Sequence, residues 1–204
     1  GVNFSYYGIR RVLNRLYSKD GGAHGLFAML HEWTIEMAKG YPEFAGKTAT
    51  LTASIDTLRE LRSSVRDLFE DLNTLVRKNS SAAAGRSEGK LRYDESTEIF
   101  RDAADVIDRF SETVSMLIEG VEDIKLLVSE ASQGQLKDRI EVLADLEKSQ
   151  VELKTVIEEF EFLQSASGQN VFWFEYRENA SAYSLKIKSA PLDIAEKLST
   201  GLYD

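Results

Sequence analysis

Arg77, Lys78, Arg86, Lys90 and Arg92 stand against a single Glu88 in a stretch otherwise rich in Ser, Ala and Gly, a local charge of about +4. Cations at this density can follow a phosphate backbone, because each one that meets a phosphate releases a condensed counterion. The same residues also suit a solvated loop, and on sequence both readings stand. Arg10, Arg11 and Arg15 form a second, weaker basic stripe. The background gives the first cluster its interest. The 204-residue chain has 34 acidic against 25 basic side chains, a formal charge of −9, so its mean field repels nucleic acid and only a local patch can attract it.

Other chemistry-bearing residue types lack the spacing their chemistry needs. The segment GYPEFAGKT, 40–48, looks like a phosphate-binding loop. However, five residues separate Gly40 from Gly46 where the motif has four, and the preceding HEWTIEMAK is helical rather than a buried strand. A helix end followed by a turn explains it better. His24 and His31 are the only histidines, and Ile35 occupies the place where a zinc-protease helix has its second one. The carboxylate runs Glu158, Glu159, Glu161 and Glu119, Glu122, Asp123 spread around helices as solvated faces, and no Glu-x-x-His pair accompanies them. No Ser, His and Asp arrangement specific enough for acyl transfer occurs. Asn79-Ser80-Ser81 and Asn179-Ala180-Ser181 match the glycosylation pattern, but with no signal peptide to accompany them they read as chance.

The elements that would position the basic cluster are helical. Residues 6–17 set Ile9, Val12, Leu13 and Leu16 at helical spacing, and a second helix is predicted over 26–39. From 44 to 78, Leu51, Ile55, Leu58, Leu61, Val65, Leu68, Leu72 and Leu75 step by three and four, predicting a heptad helix about 50 Å long. After a loop over 79–94, a second series runs Ile99, Ala103, Val106, Phe110, Val114, Leu117, Val121, Ile124, Val128. A third, beyond Gly134, runs Leu136, Ile140, Leu143, Leu146, Leu153, Val156, Phe160, Leu163. Such stripes need partner helices, so the expected fold is mainly α, an elongated antiparallel helical bundle.

Past Gly168 the period changes to two. Val171 to Tyr176 and the alternation of Tyr183, Leu185 and Ile187 with Ser184, Lys186 and Lys188 predict a C-terminal β-hairpin; Pro191, with Ser189 before it and Asp193 after, predicts a final helix. No apolar run approaches the roughly 20 residues of a membrane span, and the start shows no secretory pattern, so a soluble, cytoplasmic chain with no membrane partner is expected. The absence of cysteine removes disulfides, thiolate metal sites and a cysteine nucleophile from these residues.

The segment SAPLDIAEKL, 189–198, preceded by the aromatic VFWF at 171–174 and by Ser184-Leu185, closely resembles the stretch that DinG and XPD-like superfamily 2 DNA helicases carry shortly before their third helicase motif. The first 30 residues, with Leu13-Asn14-Arg15-Leu16-Tyr17, resemble the stretch after the Asp-Glu-Ala-His box of those enzymes. About 65 residues carry the likeness, and the heptad region falls where that family inserts its helical arch. The resemblance implies an internal fragment: 1–43 joining motor domain to arch, 44–167 the arch-like bundle, and 168–204 a hairpin and helix of the first motor domain.

It further implies a parent that is an ATP- and magnesium-dependent 5′-to-3′ helicase of DNA repair, in which the arch frames single-stranded or forked DNA. The fragment itself would hold no catalytic residue, cofactor or metal, and the other motor domains would be its partners within the chain. Whether the parent has an iron–sulfur cluster stays open, since the family's cluster cysteines lie earlier in the chain. On this reading Arg77, Lys78, Arg86, Lys90 and Arg92 are the expected phosphate contacts. The competing expectation is a stand-alone helical interaction or scaffold protein whose heptads bind another helix.

Overall fold

The computed structural model of the chain describes residues 1–17, 25–80, 88–132, 134–177 and 180–192. The elements run β1 (Asn3–Ser5), α1 (Tyr6–Leu16), α2 (Leu26–Ala38), α3 (Phe44–Asn79), β2 (Glu88–Tyr93), α4 (Ile99–Asp102), α5 (Ala104–Glu130), α6 (Arg139–Ser165), β3 (Asn170–Arg177), a 3-10 turn (Ala182–Ser184) and β4 (Lys186–Pro191). The chain is mainly helical, with long heptad helices and a C-terminal hairpin, as the periodicity predicts. It divides into two compact units, one of residues 1–9, 65–109 and 156–204, the other of residues 10–64 and 110–155.

In the second unit the heptad stripes of α3, α5 and α6 are buried. Leu51, Leu58, Leu61, Phe110, Val114, Leu117, Val121, Ile124 and Leu146 are fully enclosed. The chain directions oppose one another. Lys47 pairs with Glu130 at 3.0 Å, and a side chain at Gly120 would meet Ser54 Oγ, so ascending α3 faces descending α5. Lys125 reaches both Gln150 and Glu147, which sets α5 against α6 in the same sense. Trp33 of α2 stacks edge-on against Phe44 and donates its indole N–H to Gln135 O at 2.8 Å, satisfying a half-buried donor. The sequence 40–48 follows the end of α2 and forms a turn and the start of α3. Lys47 lies over the Phe44 ring, and no strand precedes it.

The first unit holds a four-stranded antiparallel sheet, among the described residues, in the order β1-β4-β3-β2. Phe172, Phe174 and Tyr176 of β3 alternate inward, with Ile187 of β4, Tyr93 of β2 and Phe4 of β1 on the same face. Phe4 stacks on Phe160 of α6 at 4.8 Å and on Phe69 of α3 at 5.9 Å; Tyr93 packs on Phe174 at 4.6 Å. Buried Tyr93 donates its phenol to Leu163 O at 2.9 Å, and burial pushes its ionisation upward.

Several sequence expectations are corrected. The loop over 79–94 contains β2, which pairs with β3 from Glu88↔Arg177 to Tyr93↔Phe172. The helical series from Ile99 is broken at Ala103, whose ψ of 14° leaves the helical region, so α4 and α5 are separate. At the end of α3, Val76 rather than Leu75 takes the core position. Ile140 is 70% exposed and Val142 buried, because Arg139 anchors the first turn of α6 by donating to Ser129 O and Ala131 O. The second hairpin strand begins at Lys186, with Tyr183 on the 3-10 turn, and β4 runs to Pro191, opposite Asn170, with Leu192 helical directly after it. At this strand end the missing N–H of proline interrupts no ladder. Asp193 and the rest of the expected final helix lie outside the described residues, as does His24.

Replacing Tyr93 by Phe should lower stability by about 1 kcal/mol, read as a reduced urea midpoint at unchanged slope, because Leu163 O is left without its donor. Gly25→Ala should cost more, about 1–3 kcal/mol, since its Cβ would fall 2.1 Å from Tyr17 Cα, and backbone cannot give way there. Gly40→Ala, with nothing within 4 Å, should leave the thermal midpoint unchanged.

Candidate nucleic-acid interface

The inward commitment of Phe172, Phe174 and Tyr176 turns their neighbours outward. The register puts Arg92, Trp173, Lys188 and Asn3 in one row across all four strands, and Lys90, Glu175, Lys186 and Ser5 in the next. Within these two rows four cations thus stand with one carboxylate and a half-buried tryptophan. Lys90 and Arg92 are exposed, and Lys186 and Lys188 half-buried.

Glu175 is the organiser of this face. Its carboxylate accepts from Lys188 Nζ at 2.8 Å and has Lys186 Nζ at 3.7 Å. Burial raises its ionisation, but the hydrogen bond from Lys188 and the charges of Lys188, Lys186 and Lys90 outweigh that and hold the carboxyl below its usual range. The ion pairs fix the lysine stems on the sheet and neutralise one charge, leaving the face net positive.

The five expected contacts are distributed differently from a single mobile loop. Lys90 and Arg92 sit on β2, two residues apart and on the outward face. Arg77 instead serves the fold, donating to Arg177 O at 2.9 Å, Ala180 O at 3.1 Å and Asn73 Oδ1 at 3.3 Å, so that it ties the end of β3 to the last turns of α3. Lys78 is exposed at the end of α3, and Arg86 lies outside the described residues. In the other basic stripe, Arg15 is paired with Glu152.

Sequence reasoning missed Lys186, Lys188 and Trp173 as companions of Lys90 and Arg92. The alternation of Lys186 and Lys188 was the available signal, but without β2 nothing linked them to residues some 95 positions earlier. His31, the described histidine, meets Thr52 Oγ1 at 3.2 Å, and no group of three or more His, Cys, Asp or Glu side chains that could hold a metal stands together among the described residues. No helix of the described residues is long and apolar enough to cross a membrane.

Comparison with protein families, with curated proteins and with solved structures finds no match to this chain.

A depressed carboxyl stabilises the fold above its unfolded value and loses that contribution as pH falls through the folded one. The destabilisation caused by Glu175→Gln should accordingly be present at pH 7 and shrink in urea titrations below the ordinary carboxylate range. The same variant raises the charge of the face by one and should tighten binding of single-stranded oligonucleotide at low salt.

Proposed function

We propose that the chain is a non-catalytic, strand-guiding part of an ATP-dependent DNA helicase of the DinG and XPD-like kind, and that it holds single-stranded DNA through the outer face of its sheet. The observation that carries this reading is the convergence of Lys90, Arg92, Lys186 and Lys188 around Trp173 in a chain of net charge −9. Cations spaced along a surface bind phosphates irrespective of sequence, and a nearby aromatic ring adds a stacking platform that every base can use. Hydrolysis of ATP, with magnesium, would belong to motor domains elsewhere in the parent chain, and a cytoplasmic setting goes with that role. The likeness of SAPLDIAEKL and of the first 30 residues to the helicase family supports the parentage; the charged face supports the DNA contact.

Two experiments separate these halves. Reading the coding frame on both sides tests the parentage: a P-loop and an Asp-Glu-Ala-His box upstream are expected, and their absence sinks it. For the DNA contact, the double variant Lys90→Glu, Arg92→Glu should weaken oligothymidylate binding at 50 mM salt and lower the salt slope by about two, as anisotropy titrations would measure. Unchanged affinity and slope would remove the face from the reading.

The alternative of a helical interaction protein has one observation in its favour. Ile140 and Val151, 70% and 53% exposed, lie about three turns apart on one face of α6. Sedimentation that reports a concentration-dependent mass, abolished by Ile140→Glu with Val151→Glu, would favour it.

A further inference from the structure

Beside the second row of the sheet face lies a hollow of about 270 Å³ whose walls include Tyr7, Tyr183, Arg177, Lys186 and Glu175. We propose that this hollow receives one unstacked base of a single-stranded nucleic acid whose phosphates follow the lysine rows of the sheet. The inference rests on the reading of the face given above and adds to it a position at which a base, rather than the backbone, is engaged.

The size of the hollow is the first argument. Sites for drug-sized ligands occupy roughly 300–1,000 Å³, so this one, just below that range, is suited to a single ring system. Its aromatic walls are the second. Tyr183 stacks on Tyr6 at 4.2 Å with planes 19° apart, and Tyr7 meets Tyr6 edge-on at 5.4 Å. Tyr6 is itself 8% exposed and packs on Phe69, so one buried ring backs both walls. Tyr183 is further held by its phenol, which donates to Glu70 Oε1 at 2.9 Å. Tyr7, by contrast, is 63% exposed at the start of α1 and presents an aromatic ring to solvent that the core does not use.

Continuity with the charged face is the third argument. Lys186 and Glu175 belong both to the second row of the sheet and to the wall of the hollow, so a chain lying on Lys188 and Lys90 reaches the tyrosines without crossing uncharged surface. Glu175 is already satisfied by Lys188 and Lys186, which moderates its repulsion of a phosphate. Arg177 supplies a further positive charge at the rim. A base in the hollow and a phosphate on Lys186 fit the mixture of aromatic and cationic groups; a free anion alone would leave the two tyrosines without a role.

The test uses the 204-residue chain, a labelled oligothymidylate, and an oligomer of equal length with an abasic deoxyribose-phosphate backbone. The expected result is that Tyr7→Ala weakens oligothymidylate binding roughly tenfold, within the range of single base–aromatic stacks, leaves the abasic oligomer unaffected and does not alter the salt slope, while Tyr7→Phe restores binding. If Tyr7→Ala leaves oligothymidylate affinity unchanged, or weakens both oligomers alike, the base site is overturned. Where Lys90→Glu, Arg92→Glu still weakens binding in that case, the cationic face survives without it. If neither oligomer binds the unaltered chain at low salt, the base site and the underlying reading fall together.

Discussion

Strand β3 cannot shift by one residue without exchanging Phe172, Phe174 and Tyr176 for Trp173, Glu175 and Arg177 in the core. That constraint governs the whole of the first unit. The aromatic set is enclosed by Phe4, Tyr93, Phe100 and Phe160, and burying a carboxylate and a guanidinium in its place would cost several kcal/mol per charge. The register is therefore held by the difference between a stacked aromatic interior and an uncompensated ionic one. The outward face follows as the complement of the core, and its charge pattern is as fixed as the packing beneath it.

On that face two opposing requirements are reconciled. Lys186 and Lys188 stand two residues apart on β4 and Lys90 on β2, so like charges that repel one another flank β3 on both sides. Glu175 lies between Lys186, Lys188 and Lys90, close enough to screen them from one another while leaving a net positive surface. The carboxylate acts as a spacer for positive charge. Without it the lysine stems would be free to splay, and the ordering that the ion pairs now impose on them would be lost.

Much of the helical architecture was legible because burial and period coincide. Leu51, Ile55, Leu58, Leu61, Val65, Leu68 and Leu72 recur at three and four and are all buried. β3 was legible for the same reason at period two. Strand β2 was not, because EGKLRY carries an unburied Lys and Arg, opens beside a Gly-Arg-Ser stretch, and pairs with residues 79 to 89 positions away, so no local turn announces it. Arg77 and Arg92 look alike in sequence; only the carbonyls of Arg177 and Ala180 distinguish a structural clamp from an exposed cation. Ile140 fitted the heptad and failed in space, since the anchoring of Arg139 sets the phase of the first turn of α6. The charged face was invisible as a unit for a similar reason: its two halves are joined only by sheet pairing.

The pairing of β1 with β4, Phe4 opposite Ile187, also bears on how the protein is made. A ribosome emits residues in order at roughly 5–20 per second, so Phe4 leaves the tunnel many seconds before its partner strand exists. During that interval the α5 and α6 hairpin, whose contacts are local, can form, while the first strand waits with an apolar ring and unpaired amides. Closing a loop of this length adds little further entropy cost over a shorter one, so the delay is kinetic rather than thermodynamic. Among the described elements, the sheet is thus closed only when β4 has been made, well after the helical pairs whose contacts are local.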